Sequence, residues 1–316
     1  MLTLIALLIM LPLVFFFSLL FEGIDRKIHA RMQWRIGPPI IQPFYDFIKL
    51  FCKERITPST AARGIFSSAP LIAASSSVLG ASILLASIIT EANVAGDLIL
   101  VLYLLATSSI LIMVGGSSSG NPYGAIGFSR KATLFICCEP PMLISIMSIS
   151  VKSNLTISYY DIILTQLQAR SCFALTSLSS FIAALSFLLC IPAVVGVVPF
   201  DIPEAKTEIV YGPLIEYGGP YLALLRLAKD STSFLLAFLA STIFFYPIAF
   251  LEHSFSLSGW TVLDICIFTS LIVMLITITI PRTIFARLKI GQAFRFYCIF
   301  PLPLATISLL LSFMGI

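Results

Sequence analysis

Charge is scarce in this chain. Asp, Glu, Lys and Arg make up 11% of its 316 residues, while 59% are hydrophobic; soluble domains carry about 25% charge. That balance excludes an ordinary soluble globule. Histidine is nearly missing, with only His29 and His253, and none of the seven cysteines stands in C-x-x-C spacing. A structural metal or an iron–sulfur cluster held by this chain is therefore not expected, and the cysteines read as small buried apolar residues. The glycines of GGSSSGNPYGAIG (115–127) lack the G-K-[ST] ending of a phosphate loop and read as a flexible turn. No nucleophile motif, dinucleotide fingerprint, repeat or second soluble domain stands out.

Apolar length takes the place of these motifs. Eight runs long enough to cross a bilayer lie near 2–21, 68–90, 97–116, 133–151, 172–198, 221–250, 261–281 and 293–315. The expectation is an all-α integral membrane protein, a single membrane domain over 1–316 with eight transmembrane helices. No Lys or Arg precedes the first run, so it reads as a retained helix rather than a signal peptide. Of nineteen Lys and Arg residues, fourteen lie in the loops 22–64, 117–132, 199–220 and 282–292, and Arg295 just beyond the last makes fifteen. The alternate connections hold only Lys152 and Arg170. By the positive-inside rule those four loops face the cytoplasm and both termini lie on the outer side. This bias accounts for the net charge of +4 without any nucleic acid.

Ionisable groups beside hydrocarbon are costly, which makes each a functional candidate. In VVPFDIPEAKTEIV (197–210) a helix starting after Pro203 would set Glu204 and Glu208 one turn apart on a common face, with Asp201 at the N-cap and Lys206 pointing elsewhere. Two carboxylates so placed repel each other, which suits the passing of protons. Glu139, in LFICCEPPML, is a lone acid in the fourth run followed by Pro140 and Pro141. Prolines free backbone carbonyls, so that stretch should line protein or water. In LALLRLAKDSTSFLL, Arg226 and Asp230 are four apart and could neutralise each other. Lys229 would then need another partner, for which Glu216 is a candidate. The stretch FYDFIKLFCKE (44–54) has the period of an amphipathic helix that lies on the membrane or docks a partner. Physics alone yields a membrane protein that conducts or couples protons and holds no redox centre.

DRKIHARMQWRIGPP, QPFYDFIKLFCKE, GNPYGAIGFSRKA, CCEPP and PFDIPEAKTEIVYGPLIEYGG, in this order, resemble the motifs of the NADH dehydrogenase subunit 1 family. That is the complex I membrane subunit between the peripheral redox arm and the antiporter-like arm. The resemblance implies eight helices and an acidic path through Glu139, Asp201, Glu204, Glu208 and Glu216; Arg226, Lys229 and Asp230 are proton-transfer candidates on their own spacing in the sixth run. It further implies a cytoplasmic docking surface for the redox arm made of Arg26, Arg35, Asp46, Lys49, Lys53, Glu54 and Arg130.

Three departures matter. GPPIIQP is compressed, Lys206 stands where the family has an acid, and LAKD (227–230) replaces LAEY. These forms look more like the corresponding subunit of membrane-bound [NiFe] hydrogenases and related sulfur-reducing complexes of archaea and bacteria. The implied protein is a non-catalytic subunit in the cell membrane that binds no cofactor or metal itself. It would couple electron transfer to H⁺ or Na⁺ translocation. Iron–sulfur clusters and a [NiFe] site would sit in partners: hydrogenase-like large and small subunits, a ferredoxin-like subunit and antiporter-like membrane subunits. The alternatives are a quinone-site subunit of a complex I relative, a subunit of a sulfur or polysulfide reductase, and a stand-alone ion transporter.

Overall fold

The computed structural model describes residues 2–93, 98–250 and 259–315, without the side chains of 2–4, 206 and 249–250. His253 and Glu252 lie outside the described residues, as does the side chain of Lys206. The described residues form helices and connecting turns, with no β-strand. In chain order the helices are α1 (Leu2–Met32), α2 (Gln42–Phe51), α3 (Arg63–Thr90), α4 (Leu98–Ser117), α5 (Pro122–Lys152), α6 (Tyr159–Ala169), α7 (Phe173–Thr176) and α8 (Leu178–Val195). There follow α9 (Lys206–Ile209), α10 (Gly219–Ile243), α11 (Gly259–Met274), α12 (Ile280–Ile284), α13 (Ile290–Ile299) and α14 (Pro301–Phe313). A π-helical turn, Leu275–Thr279, welds α11 to α12, so Gly259–Ile284 is one span, and α13 and α14 likewise form the span Ile290–Phe313.

Among the described residues, seven helices are long and apolar enough to cross a membrane: α1, α3, α4, α5, α8, the α11–α12 span and the α13–α14 span. The sixth of the eight expected runs became α10, a 25-residue helix that carries Arg226, Lys229 and Asp230 near its start. Its other half, Ser231–Ile243, is buried throughout and packs against α3, α11, α1 and α8 at the centre of the molecule. A second group forms where α5, α8 and α14 meet. Serines fill much of the interior, and their hydroxyls donate back to carbonyls three or four residues earlier. Between helices, Ser77 on α3 meets Ser231 on α10 at 2.6 Å. Small side chains of this kind let membrane helices approach closely where apolar area offers no preference for protein over lipid.

Three boundaries differ from the sequence reading. The first helix does not stop at the end of its apolar run: nothing between Glu22 and Met32 breaks a helix, and Glu22 pairs with Arg26 one turn on, at 2.7 Å. The residues of DRKIHAR therefore stand on a helix rather than in a loop. Gly23 marks where the chain folds back, since a Cβ there would lie 2.0 Å from the Ile40 carbonyl oxygen. The supposed flexible turn around GNPYGAIG is also helical. Asn121 caps α5 by accepting from the Tyr123 amide, and Pro122 takes the first turn, where a missing N–H costs nothing. The fifth run splits at Ser177, whose extended backbone separates α7 from α8.

Candidate functional site

The stretch 196–218 is held by three ion pairs and by further contacts. Asp201 accepts from Arg287 at 2.8 Å, Glu204 accepts from Lys229 of α10 at 2.7 Å, and Glu208 accepts from Arg130 of α5. The Leu288 amide donates to the Pro199 carbonyl at 3.0 Å, and Asn121 donates to Glu216 at 2.6 Å. Glycines make room for this loop: a Cβ on Gly116 or Gly127 would stand 2.5 Å from Pro213. The turn Gly212–Leu214 thereby seats between α4 and α5. This is the role of the glycines that read as flexibility.

The expected stacking of Glu204 over Glu208 does not occur. Pro203 and a non-helical Ala205 delay the helix, and α9 is only four residues long before Val210 and Tyr211 turn left-handed. Glu204 precedes it and Glu208 lies in it, each turned to its own cation on a different helix. Asp201 is no N-cap either, since Ala205 holds that position without a side-chain bond. Burial pushes the Asp201 carboxyl above its ordinary range, with Glu204 adding to the shift while Lys229 and Arg287 oppose it. Lys229 does not seek Glu216. Besides Glu204 it donates to the Gly196 carbonyl at 3.1 Å, at the end of α8. Arg226 makes no ion pair with Asp230 among the described residues.

Beside the loop lies a cavity of about 880 Å³. Five carboxylates line it, Glu22, Asp25, Asp201, Glu204 and Asp230, along with five cations, Arg26, Arg226, Lys229, Arg282 and Arg287, and His29. Of these, Glu22, Asp25, Arg282 and Arg287 were not expected as site residues. Asp25 is 2% exposed and accepts from Thr279 at 2.6 Å and from Arg282, so the π-turn supplies a ligand to an acid on α1. The spacing of Glu22, Asp25 and Arg26 was available to anyone who ran α1 past its apolar stretch. The arrival of Arg282 and Arg287 from the far end of the chain was not. Lys131, buried on α5, was counted only among topology charges.

Glu139 stands apart. Half-buried in mid-α5, it lines a separate groove of about 470 Å³ between α4, α5 and α6, among Tyr103, Leu143 and Met147. The prolines after it leave the carbonyls of Ile136 and Cys137, one turn earlier, without their helical N–H donors, and Ser145 donates to the Pro141 carbonyl at 2.7 Å. Of the docking residues, Arg26 and Asp46 pair with each other at 2.9 Å and Arg130 is spent on Glu208. Arg35, Lys49, Lys53 and Glu54 are exposed, next to exposed Trp34, Ile36, Tyr45 and Ile48. No group of three or more metal-ligating side chains occurs among the described residues.

An all-helical bundle with several membrane-length helices around a charge-filled chamber defines a multi-pass membrane subunit. More narrowly, the chain belongs to the NADH dehydrogenase family, whose family model matches residues 4–313. It is 30% identical over 311 residues to an NADH-quinone oxidoreductase subunit of Thermomicrobium roseum, covering 90% of this chain and 88% of that one. Hydrogenase-4 component C of Escherichia coli is 34% identical over 208 residues, 66% of this chain and 64% of the relative. The fold superposes on a chain of the membrane-bound sulfane sulfur reductase, an archaeal respiratory membrane complex. The TM-score is 0.85 at 28% identity, over 98% of this chain and 99% of the other. The chain is a membrane subunit of a complex-I-like complex.

Proposed function

We propose that this chain is the non-catalytic coupling subunit of a membrane-bound-hydrogenase-type respiratory complex. It anchors a peripheral redox arm and passes the energy of electron transfer into ion translocation. The observation that carries the reading is the loop 196–218, three of whose four acids are each held by a cation from a different part of the bundle. Such a segment has a defined resting place and can leave it when charge in the chamber changes. Lys229 and Glu204 border both the loop and the chamber, so a charge arriving in the chamber acts first on that pair. The exposed surface around Trp34, Ile36, Lys49 and Lys53 receives the redox arm. Redox centres, iron–sulfur clusters and a [NiFe] site, belong to the partner subunits, and antiporter-like subunits carry the ion. In the membrane α10 makes the eighth crossing, with both termini on the outer side and the four basic loops in the cytoplasm.

The test is Glu204→Gln in the assembled complex: electron transfer persists while ions moved per electron fall at least tenfold. Normal pumping would sink the proposal. A second reading, a sulfur-reducing complex, draws on the full-length likeness to the sulfane sulfur reductase chain. Hydrogen evolution, polysulfide reduction and quinone reduction by the purified complex separate hydrogenase, sulfur-reducing and quinone-linked types.

A further inference from the structure

Lys131 is 8% exposed and makes no hydrogen bond or ion pair among the described residues. The titratable groups that face it are Glu204 on the loop, Lys229 on α10 and Cys138 two turns along α5. Its neighbour Arg130 already holds the other loop acid, Glu208. The Glu204 carboxylate uses only Oε2 toward Lys229, and its Oε1 accepts nothing among the described residues. Lys229 has a second acceptor in the Gly196 carbonyl, so it keeps a partner if Glu204 departs. Glu204 and Lys229 line the chamber and Lys131 does not.

We propose that Lys131 is a second seat for the Glu204 carboxylate, which exchanges between Lys229 at the chamber and Lys131 outside its lining. The significance of the exchange rests on the reading of the loop as the coupling segment; the geometry does not. An ammonium on a largely buried side chain that makes no hydrogen bond favours whatever carboxylate can reach it, and an unused carboxylate oxygen can reach without both bonds to Lys229 and Lys131 being lost at once. In the first seat the carboxylate faces the chamber; in the second it is turned toward Lys131, as an anion in both. The same acid thus meets different surroundings in its two positions.

The decisive measurement is a structure of the assembled complex carrying Lys229→Met. The exchange requires Glu204 within 4 Å of Lys131 Nζ; Glu204 turned into the chamber with Lys131 still alone would overturn it. A functional arm uses Lys131→Met and Lys131→Arg. Ions moved per electron should fall at least fivefold in the first and recover by more than half in the second, which a purely structural role does not predict. A wild-type ratio in Lys131→Met overturns the exchange. If that ratio is found while Glu204→Gln pumps poorly, the coupling role of the loop stands and only the second seat falls. If Glu204→Gln pumps normally, the coupling reading itself falls.

Discussion

At the scale of the residue, the most consequential side chains are buried charges whose partners come from distant parts of the chain. Asp25 is the clearest: nearly sealed, it answers to Thr279 and Arg282 on the far side of the sequence. Asp25→Asn removes the charge and one of the two acceptor oxygens, so Arg282 loses its ion pair, and breaking one side of a largely buried pair costs on the order of 3 kcal/mol. Unfolding of the purified protein in detergent should move by that amount, and an unchanged transition would refute the role. Asp201 supports a prediction in pH. Its carboxyl holds a proton more firmly in the fold than in the unfolded chain. The fold therefore binds the extra proton, and this group's contribution to stability declines as pH rises from the ordinary aspartate value of 3.8 through its raised folded one. Asp201→Asn should flatten that part of the stability profile, which a detergent unfolding series across mildly acidic pH would reveal.

At the scale of the element, closeness of approach matters more than helix propensity. Gly127 is helical and gives up the propensity of an alanine, about 1 kcal/mol, so that Pro213 can lie against α5. Gly127→Ala must push the turn Gly212–Leu214 away and stretch the Arg130–Glu208 pair. Backbone amides of 205–215 should then exchange with deuterium at least ten times faster than in the unaltered protein. Unchanged exchange would mean the loop is held by its ion pairs alone. The elements legible in the sequence were the long ones, because hydrocarbon demands apolar length and leaves little else to decide. What escaped was how they end. The periodicity of FEGIDRKIHAR was there to read, but a change from apolar to charged residues looks like a membrane surface whether or not the helix continues. The paired placement of Glu204 and Glu208 failed for a different reason: a spacing of four defines a common face only inside a helix, and Pro203 with Ala205 delays that helix until Lys206.

At the scale of the whole molecule, the charge pattern along the chain and the chamber are two views of one asymmetry. The residues that set the positive-inside bias, Arg26, Arg282 and Arg287 among them, also line the cavity. The carboxylates of the chamber sit on α1, α10 and the 196–218 loop, so the chamber could be seen only after the fold brought those three together. Composition revealed the membrane and motif order the family, whereas the pairing of individual charges needed coordinates. The proposed topology has a direct check. Cys52 is exposed, on the turn after α2. A membrane-impermeant maleimide should label it from the cytoplasmic side, and an Asn154→Cys variant from the opposite side. Labelling of both from one side would invert or break the arrangement.

The anchors of the 196–218 segment also have a mechanical consequence. Besides its three ion pairs, the segment is fixed at Pro199 by the Leu288 amide, at Glu216 by Asn121, and at Pro213 between α4 and α5. Release of Glu204 from Lys229 would therefore free only its middle while both ends stay clamped. The segment would behave as a beam fixed at both ends, able to bow between its clamps and unable to swing as a body.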